Sequence, residues 1–278
     1  MTLPSITIVT PSFNQAKFLE TTMRSVLDQN YSSLEYIVMD GGSSDGSVDI
    51  IRRYSDRLAY WQSCPDGGQA AAIAGGFKRG SGEILAWLNS DDLLLPGSLE
   101  TVGAFFRDNR EEEWLIGGCM TIEHDGSVSR GRFGVMRGDV GTRMTTEKLL
   151  FWGCRGFNQP AVFWRRSAYE AVGGLNPSYY FCMDYDLFVR LSLRRASGRT
   201  RGILACFRYH PASKTATAQD VHAREKHLLW TKYGLYEHSP LYRRLRYALY
   251  FIIERTQYRA VQVGLTLGFG KCPFPQVR

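Results

Sequence analysis

The chain has 278 residues, 44% of them hydrophobic and 22% charged, a composition that fits one sizeable globular core with an appendage and excludes fibrous, low-complexity and broadly disordered classes. Its formal charge of +7, from 34 basic and 27 acidic side chains, suits anionic partners such as nucleotides, nucleic acid or an anionic membrane surface. Six scattered cysteines with no CxxC pair exclude zinc-finger spacing and read as reduced, small core residues of a cytoplasmic protein, and no run of 18 apolar residues is present to span a bilayer.

Met1-Thr2-Leu3-Pro4 carries no basic or apolar leader pattern, so no secretory signal is expected, and it runs directly into a β-branched strand, Ile6-Thr7-Ile8-Val9-Thr10, ended by Pro11-Ser12. Apolar residues at helical spacing predict a helix over 16–28. A second strand over 34–39 ends at Asp40, Gly41 to Gly46 form a turn, and 48–54 reads as a helix. A short strand over 58–61, the loop Pro65-Asp66-Gly67-Gly68 and a helix over 69–79 follow. Ile84-Leu85-Ala86-Trp87-Leu88 then reads as a buried strand leading into Asn89-Ser90-Asp91-Asp92. This alternation implies a mainly parallel sheet with right-handed crossovers. Beyond it the pattern changes: strands over 114–120 and 126–133, a helix over 145–155, a strand over 159–164, helices over 167–172 and 184–195, and a strand over 203–209. From Gln219 onward the pattern is helical and rich in Tyr, Arg and Leu.

The ends of parallel strands open onto one edge, where ligands bind, so Asp40, Asp66, Asp91 and Asp92 can converge there. A carboxylate pair suits a hard divalent cation held against a diphosphate, although the same residues could cap a helix starting near Leu93 or Pro96. There is no GxGxxG fingerprint and no Walker lysine, which disfavours a helix-cradled dinucleotide or a P-loop nucleotide.

Four blocks in order resemble family 2 glycosyltransferases: residues 7–15 (Thr-Ile-Val-Thr-Pro-Ser-Phe-Asn-Gln), 35–47 (Glu-Tyr-Ile-Val-Met-Asp-Gly-Gly-Ser-Ser-Asp-Gly-Ser), 65–69 (Pro-Asp-Gly-Gly-Gln) and 82–92, ending in Asn89-Ser90-Asp91-Asp92. The likeness spans residues 5–215. It implies the GT-A fold: an α/β, Rossmann-like, mostly parallel sheet with flanking helices, here followed by a helical C-terminal extension. It also implies a nucleotide-diphosphate sugar donor (UDP-sugar favoured, GDP- or dTDP-sugar as alternatives) and Mn²⁺ or Mg²⁺. The implied reaction is inverting transfer to a saccharide or a polyprenyl-diphosphate-linked saccharide in bacterial surface polysaccharide synthesis, with no nucleic-acid partner.

By the same resemblance Thr10, Pro11 and Ser12 lie against the nucleoside, Asp40 bonds the base or ribose, and Asp66 bonds the base. Gln69, Asn89, Ser90 and Asp91 belong to the donor site, with Asp92 as first metal ligand and Asp91 as second. Residues 183–191 resemble the segment that supplies the general base, which falls on Asp184 with Asp186 as the fallback. Residues 208–215 resemble the segment after the last strand, which would make His210 a further metal or diphosphate ligand and Lys214 a point charge on the diphosphate. The chain departs from the pattern at Asn89, where a strict DxD has a carboxylate, and at Ala70-Ala71-Ala72-Ile73-Ala74-Gly75-Gly76, which offers few ligand groups.

The expected organisation is a catalytic domain over 1–217, with a donor half to about 118 and an acceptor half beyond it, then an extension over 218–278. Trp152, Phe157, Asn158, Gln159, Trp164, Tyr179, Tyr180 and Phe181 are candidates for the acceptor side. His124, His222, His227 and His238 read as surface residues. The basic, aromatic segment 241–253 could lie on the inner face of a bacterial plasma membrane or pack on protein, a homodimer included. Two other readings are a sugar-nucleotide nucleotidyltransferase, which would want a basic Gly-rich loop after the first strand, and a noncatalytic basic binding module.

Overall fold

Alternation along the first strands sorts their side chains onto two faces. A computed structural model describes residues 2–129, 135–136, 143–154 and 157–265. In β1 (Ile6–Ser12), β2 (Leu34–Asp40), β3 (Tyr60–Ser63) and β4 (Ile84–Trp87) the strands run parallel in the order β3-β2-β1-β4. Ile6, Ile8, Tyr36, Val38, Ile84 and Ala86 face one apolar layer, while Val9, Ile37, Met39, Leu85 and Trp87 face the other. Both faces are therefore covered, as a parallel sheet requires.

The covering helices on the first face are α1 (Ala16–Leu27) and α2 (Ser47–Arg53). On the second lies α3 (Gln69–Arg79). The small residues of α3 have a packing reason: a Cβ at Gly76 would stand 2.6 Å from Val9 Cγ1, so glycine lets this helix close onto β1.

After β4 the sheet continues with β5 (Leu93–Leu94), α4 (Ser98–Asp108), β6 (Trp114–Ile122), β7 (Val135–Met136), α5 (Thr146–Trp152), β8 (Val162–Arg165), α6 (Arg166–Ala171), α7 (Met183–Arg194) and β9 (Gly198–Arg208). β8 joins β4 antiparallel, and the order runs on through β6 and β9 to β5, with β7 on β6. The whole is a curled, mixed sheet whose first half is parallel.

Several boundaries differ from the sequence expectation. The third strand starts at Tyr60 because Ser55–Arg57 form a 3-10 turn that delays it. Gln159–Ala161 is a 3-10 turn, not strand, with Pro160 at its start, where a missing N–H costs nothing. β9 begins at Gly198 and follows β6 across a register shift. Val128 of the expected 126–133 strand makes an isolated bridge to Ile122; residues 130–133, Arg155 and Cys272 lie outside the described residues.

The chain ends in α8 (Lys214–Thr217), α9 (Gln219–Lys232), a 3-10 turn (Leu235–Glu237) and α10 (Pro240–Leu265). Leu229 of α9 is fully buried in the same apolar layer as Tyr185, Leu187 and Trp164. α10 packs Tyr250 against Trp152 and Leu150, and its Arg246 pairs with Glu147 of α5. No described helix is long and apolar enough to cross a membrane.

Candidate functional site

The C-terminal ends of the parallel strands open into a cavity of about 920 Å³. Its wall is built from the end of β1, the loop into α3, the segment after β4, the start of α7 and the segment after β9. Of the residues singled out in the sequence, Pro11, Ser12, Asp66, Gln69, Asn89, Ser90, Asp91, Asp184 and Lys214 line it. Thr10, Asp40, Asp92 and His210 are buried behind that wall.

Asp40 is fully buried, and its carboxylate organises a loop. Oδ2 accepts from the N–H groups of Gly42 (3.1 Å) and Ser43 (2.8 Å) and from Ser63 Oγ (2.7 Å), while Oδ1 accepts from Ser43 Oγ (2.6 Å). These bonds set the 41–43 backbone beside the place expected for the base or ribose. Gly42 there has φ +87°, a conformation a side chain would strain. Thr10 likewise turns inward, its hydroxyl 2.9 Å from Tyr36 Oη. The neighbouring Asp45 and Ser47 cap α1 across the loop, through Ala16 N–H and Gln15 N–H.

The two carboxylates after β4 are separated by a tight turn, Asp92 N–H to Asn89 O, which Thr22 of α1 pins by donating to the carbonyls of Ser90 (2.9 Å) and Asp92 (2.8 Å). Asp91 points into the cavity, 18% exposed, with His210 Nε2 3.0 Å from its Oδ2. Asp92 points the other way: Arg208 N–H (2.9 Å) and Asn89 Nδ2 (3.2 Å) donate to it. Burial, and then the charge of Asp91, push the Asp92 carboxyl well above the usual carboxylate range. The sequence ordering of the pair, Asp92 first, is thus the reverse of their accessibility. Asn89 also explains itself. It donates to Asp92 and to Gln159 (3.3 Å) and accepts from Gln69 (2.8 Å), and a carboxylate could not donate at all.

The base candidate stands at the first turn of α7. Asp184 accepts from Tyr185 N–H (2.7 Å), and burial raises its carboxyl to about 6 against the opposing pull of that bond and of Lys214. Lys214 reaches Gln69 Oε1 (2.7 Å) and sits 4.0 Å over the Tyr180 ring; burial lowers its ammonium. The fallback, Asp186, is structural: fully buried, it pairs with Arg190 (2.6 Å) and Lys232 (3.1 Å) and accepts from Tyr233 Oη (2.8 Å). Arg194 and Arg195 pair with Glu113 and Glu112, so this part of the arginine-rich segment is neutralised rather than offered to a polyanion.

Ser12, Ser213 and Trp87 line the cavity, and their Oγ, Oγ and Nε1 atoms are buried without a partner among the described residues. No group of three His, Cys, Asp or Glu able to hold a metal occurs among the described residues. Asp91 and His210 supply two donors, which fits an ion that takes its other ligands from phosphate oxygens and water.

Sequence reasoning missed Phe13, an exposed ring on the wall beside Asp66, and His222, which lines the cavity and stacks on Phe181 at 4.5 Å instead of lying on the surface. The aromatic ring directly after Pro11-Ser12 could have flagged Phe13; nothing local marks His222. Trp152 and Trp164 are core residues, whereas Asn158, Gln159, Tyr180 and Phe181 do line the cavity.

Comparison with known proteins bears on this site. The profile described as Glycosyl transferase family 2 matches residues 7–171, more than half of the chain. An uncharacterized glycosyltransferase of Rickettsia prowazekii is 32% identical over 221 residues, covering 77% of this chain and 67% of that protein. The GalNAc(5)-diNAcBac-PP-undecaprenol beta-1,3-glucosyltransferase of Campylobacter jejuni is 29% identical over 136 residues, 46% of this chain and 42% of that protein. Some curated relatives are much longer: the match to an uncharacterized glycosyltransferase of Rickettsia felis, 24% identical, covers 83% of this chain and only 38% of that protein. Among solved structures, S. aureus TarS 1-349 in complex with UDP-GlcNAc superimposes with a TM-score of 0.64 at 15% identity, over 95% of this chain and 76% of that one. The mannosyltransferase PcManGT from Pyrobaculum calidifontis, in complex with GDP-Man and Mn²⁺, gives 0.60 at 15% identity, over 97% and 77%.

Proposed function

The chain belongs to glycosyl transferase family 2 and has the GT-A fold, and from that premise we propose that it transfers a sugar, with inversion, from a nucleotide diphosphate to a saccharide or lipid-linked saccharide acceptor. The observation that carries this reading is that Asp184, Asp91 and Lys214 line one cavity at the ends of the parallel strands.

The donor lies along the β-strand ends, its nucleoside near Pro11, Ser12 and Asp66 and its diphosphate near Asp91, His210 and Lys214. Asp91 and His210 would hold a divalent cation, which would supply positive charge against the diphosphate as it departs. Lys214 adds a fixed ammonium on the same side. Asp184 removes the proton of the acceptor hydroxyl as that oxygen bonds to the anomeric carbon and the bond from that carbon to the phosphate oxygen breaks, its electrons leaving with the diphosphate. A carboxyl held at about 6 is ionised at neutral pH yet more basic than an ordinary aspartate, which suits a general base.

Two features support a membrane-presented acceptor. The Campylobacter relative acts on an undecaprenol-linked saccharide. On α10, Leu241, Leu245, Leu249 and Ile252 recur at three- and four-residue spacing and are 42–68% exposed, beside the exposed Arg244.

The test is a panel of UDP-, GDP- and dTDP-sugars with and without Mn²⁺, read by thermal stabilisation and slow donor hydrolysis. One donor class is expected to stabilise the protein in a metal-dependent way. Folded protein that responds to none of them would sink the proposal.

A further inference from the structure

Among the described residues the hydrogen bonds to the Asp184 carboxylate come from nearby backbone, chiefly the Tyr185 N–H, so its position is set by the backbone that leads into α7. That backbone is held from outside. Glu225, one turn before Leu229 on α9, accepts from three consecutive N–H groups: Tyr180 (2.7 Å) through one oxygen, Phe181 (2.8 Å) and Cys182 (2.8 Å) through the other. Those are the three residues immediately before α7, and their N–H groups are ones the helix itself cannot satisfy. The same α9 face lays the His222 ring on Phe181 at 4.5 Å, and the Tyr180 ring in turn carries the Lys214 ammonium at 4.0 Å.

We propose that Glu225 is the positioning residue for the base: a carboxylate from the C-terminal segment that fixes the 180–182 backbone, and through it the place of the Asp184 carboxylate in the cavity. The proposal rests on Asp184 being the base. It makes the segment after residue 218 a working part of the transfer site. Three charge-assisted bonds from one carboxylate resist displacement more than neutral ones would, and a base misplaced by about 1 Å costs on the order of 100-fold in rate.

Glu225 also acts at a distance by its charge. The charged or titratable groups around Asp184 among the described residues include Lys214 from α8, His222, Glu225 and Lys226 from α9, Cys182 before α7, Tyr185 beside it, and Cys154 after α5. Glu225 opposes ionisation of Asp184 and Lys214 favours it, so neutralising Glu225 moves the acid limb of the rate profile to lower pH.

The experiment uses the full chain, Mn²⁺ and the nucleotide sugar that stabilises it most, with hydrolysis or transfer as readout. Glu225→Gln is expected to lower kcat about 10- to 100-fold, to leave the donor KM within about twofold, and to shift the acid limb down. Glu225→Asp, which keeps the charge, should return the limb to its wild-type pH even if kcat recovers only in part. Asp186→Asn serves as the structural comparison, because Asp186 also ties α7 to α9 through Lys232 and Tyr233; it should lower the melting temperature without moving the limb. The proposal is overturned if Glu225→Gln keeps its kcat, or if Glu225→Gln and Asp186→Asn lose activity alike with neither limb displaced. Full turnover in Asp184→Asn would instead remove the base assignment itself, which separates the two failures.

Discussion

Asp40 and Asp184 stand at corresponding ends of the chemistry, one behind the donor wall and one on the base wall, and they are held in opposite ways. Among the described residues the groups that donate to the Asp40 carboxylate lie within 23 residues of it, and its oxygens accept four hydrogen bonds. Asp184 is bonded by nearby backbone, and its surroundings come from residues far along the chain: Lys214 on α8 and Glu225 on α9. The donor wall is therefore stabilised by the groups that shape it. On the proposed function the base wall carries a half-buried carboxylate with little charge compensation, because its oxygen must remain available to the acceptor. Rigid support for it is supplied indirectly, through the backbone.

The sharpest test of this contrast substitutes both residues. Asp184→Asn is expected to cut transfer by about 10²- to 10⁴-fold, the usual worth of a general base, while metal-dependent donor binding persists. It should also stabilise the fold. The Asp184 carboxyl is raised from 3.8 to about 6, so the native state binds the proton more tightly than the unfolded chain does, and stability falls as pH rises through that window. Above it the ionised group costs about 2–3 kcal/mol, so Asp184→Asn at neutral pH should melt about 5 °C higher. Wild-type transfer should fall with pH below about 6. Asp40→Asn should behave oppositely, losing about 2–3 kcal/mol and the loop it organises, because an amide replaces one accepting oxygen by a donor. If both substitutions destabilise, the contrast between the two walls is wrong.

Within the donor wall a smaller difference separates Asp91 from Asp92. Asp91→Asn should weaken Mn²⁺-dependent stabilisation by the nucleotide sugar by at least about tenfold in apparent affinity, since Asp91 has the open carboxylate. Asp92→Asn should retain most of that response, because Asp92 is turned away from the cavity onto Arg208 N–H and Asn89. Calorimetric titration of both variants decides the order; a metal response lost only in Asp92→Asn would restore the ordering suggested by the sequence.

The smallest effect is expected outside both walls. Leu245→Ser with Ile252→Ser should reduce sedimentation with anionic lipid vesicles several-fold, more visibly at low salt, and leave donor hydrolysis unchanged. Equal binding by the double variant would take α10 out of the membrane reading.

What could be read without coordinates follows the range of the interactions. The strand and helix pattern to residue 92 was legible because it rests on period-two and 3.6-residue spacing within short windows. The strand-end carboxylates were legible because parallel topology alone brings them to one edge. The inward turn of Asp92, the structural role of Asp186 and the place of His222 were not, since each depends on a partner from another segment: Arg208, Lys232 and Phe181.

The sequence by itself determined the family, the order of the blocks and the identity of the carboxylates at Asn89-Ser90-Asp91-Asp92, because these depend on local pattern and chain order. The tertiary structure decided which carboxylate faces the cavity, that burial raises the Asp184 carboxyl, and that Glu225 of α9 holds the backbone before α7. Those are matters of burial and of charges brought together from distant segments, and both the cost of desolvating a carboxylate and the reach of Glu225 exist only once the chain has closed around them.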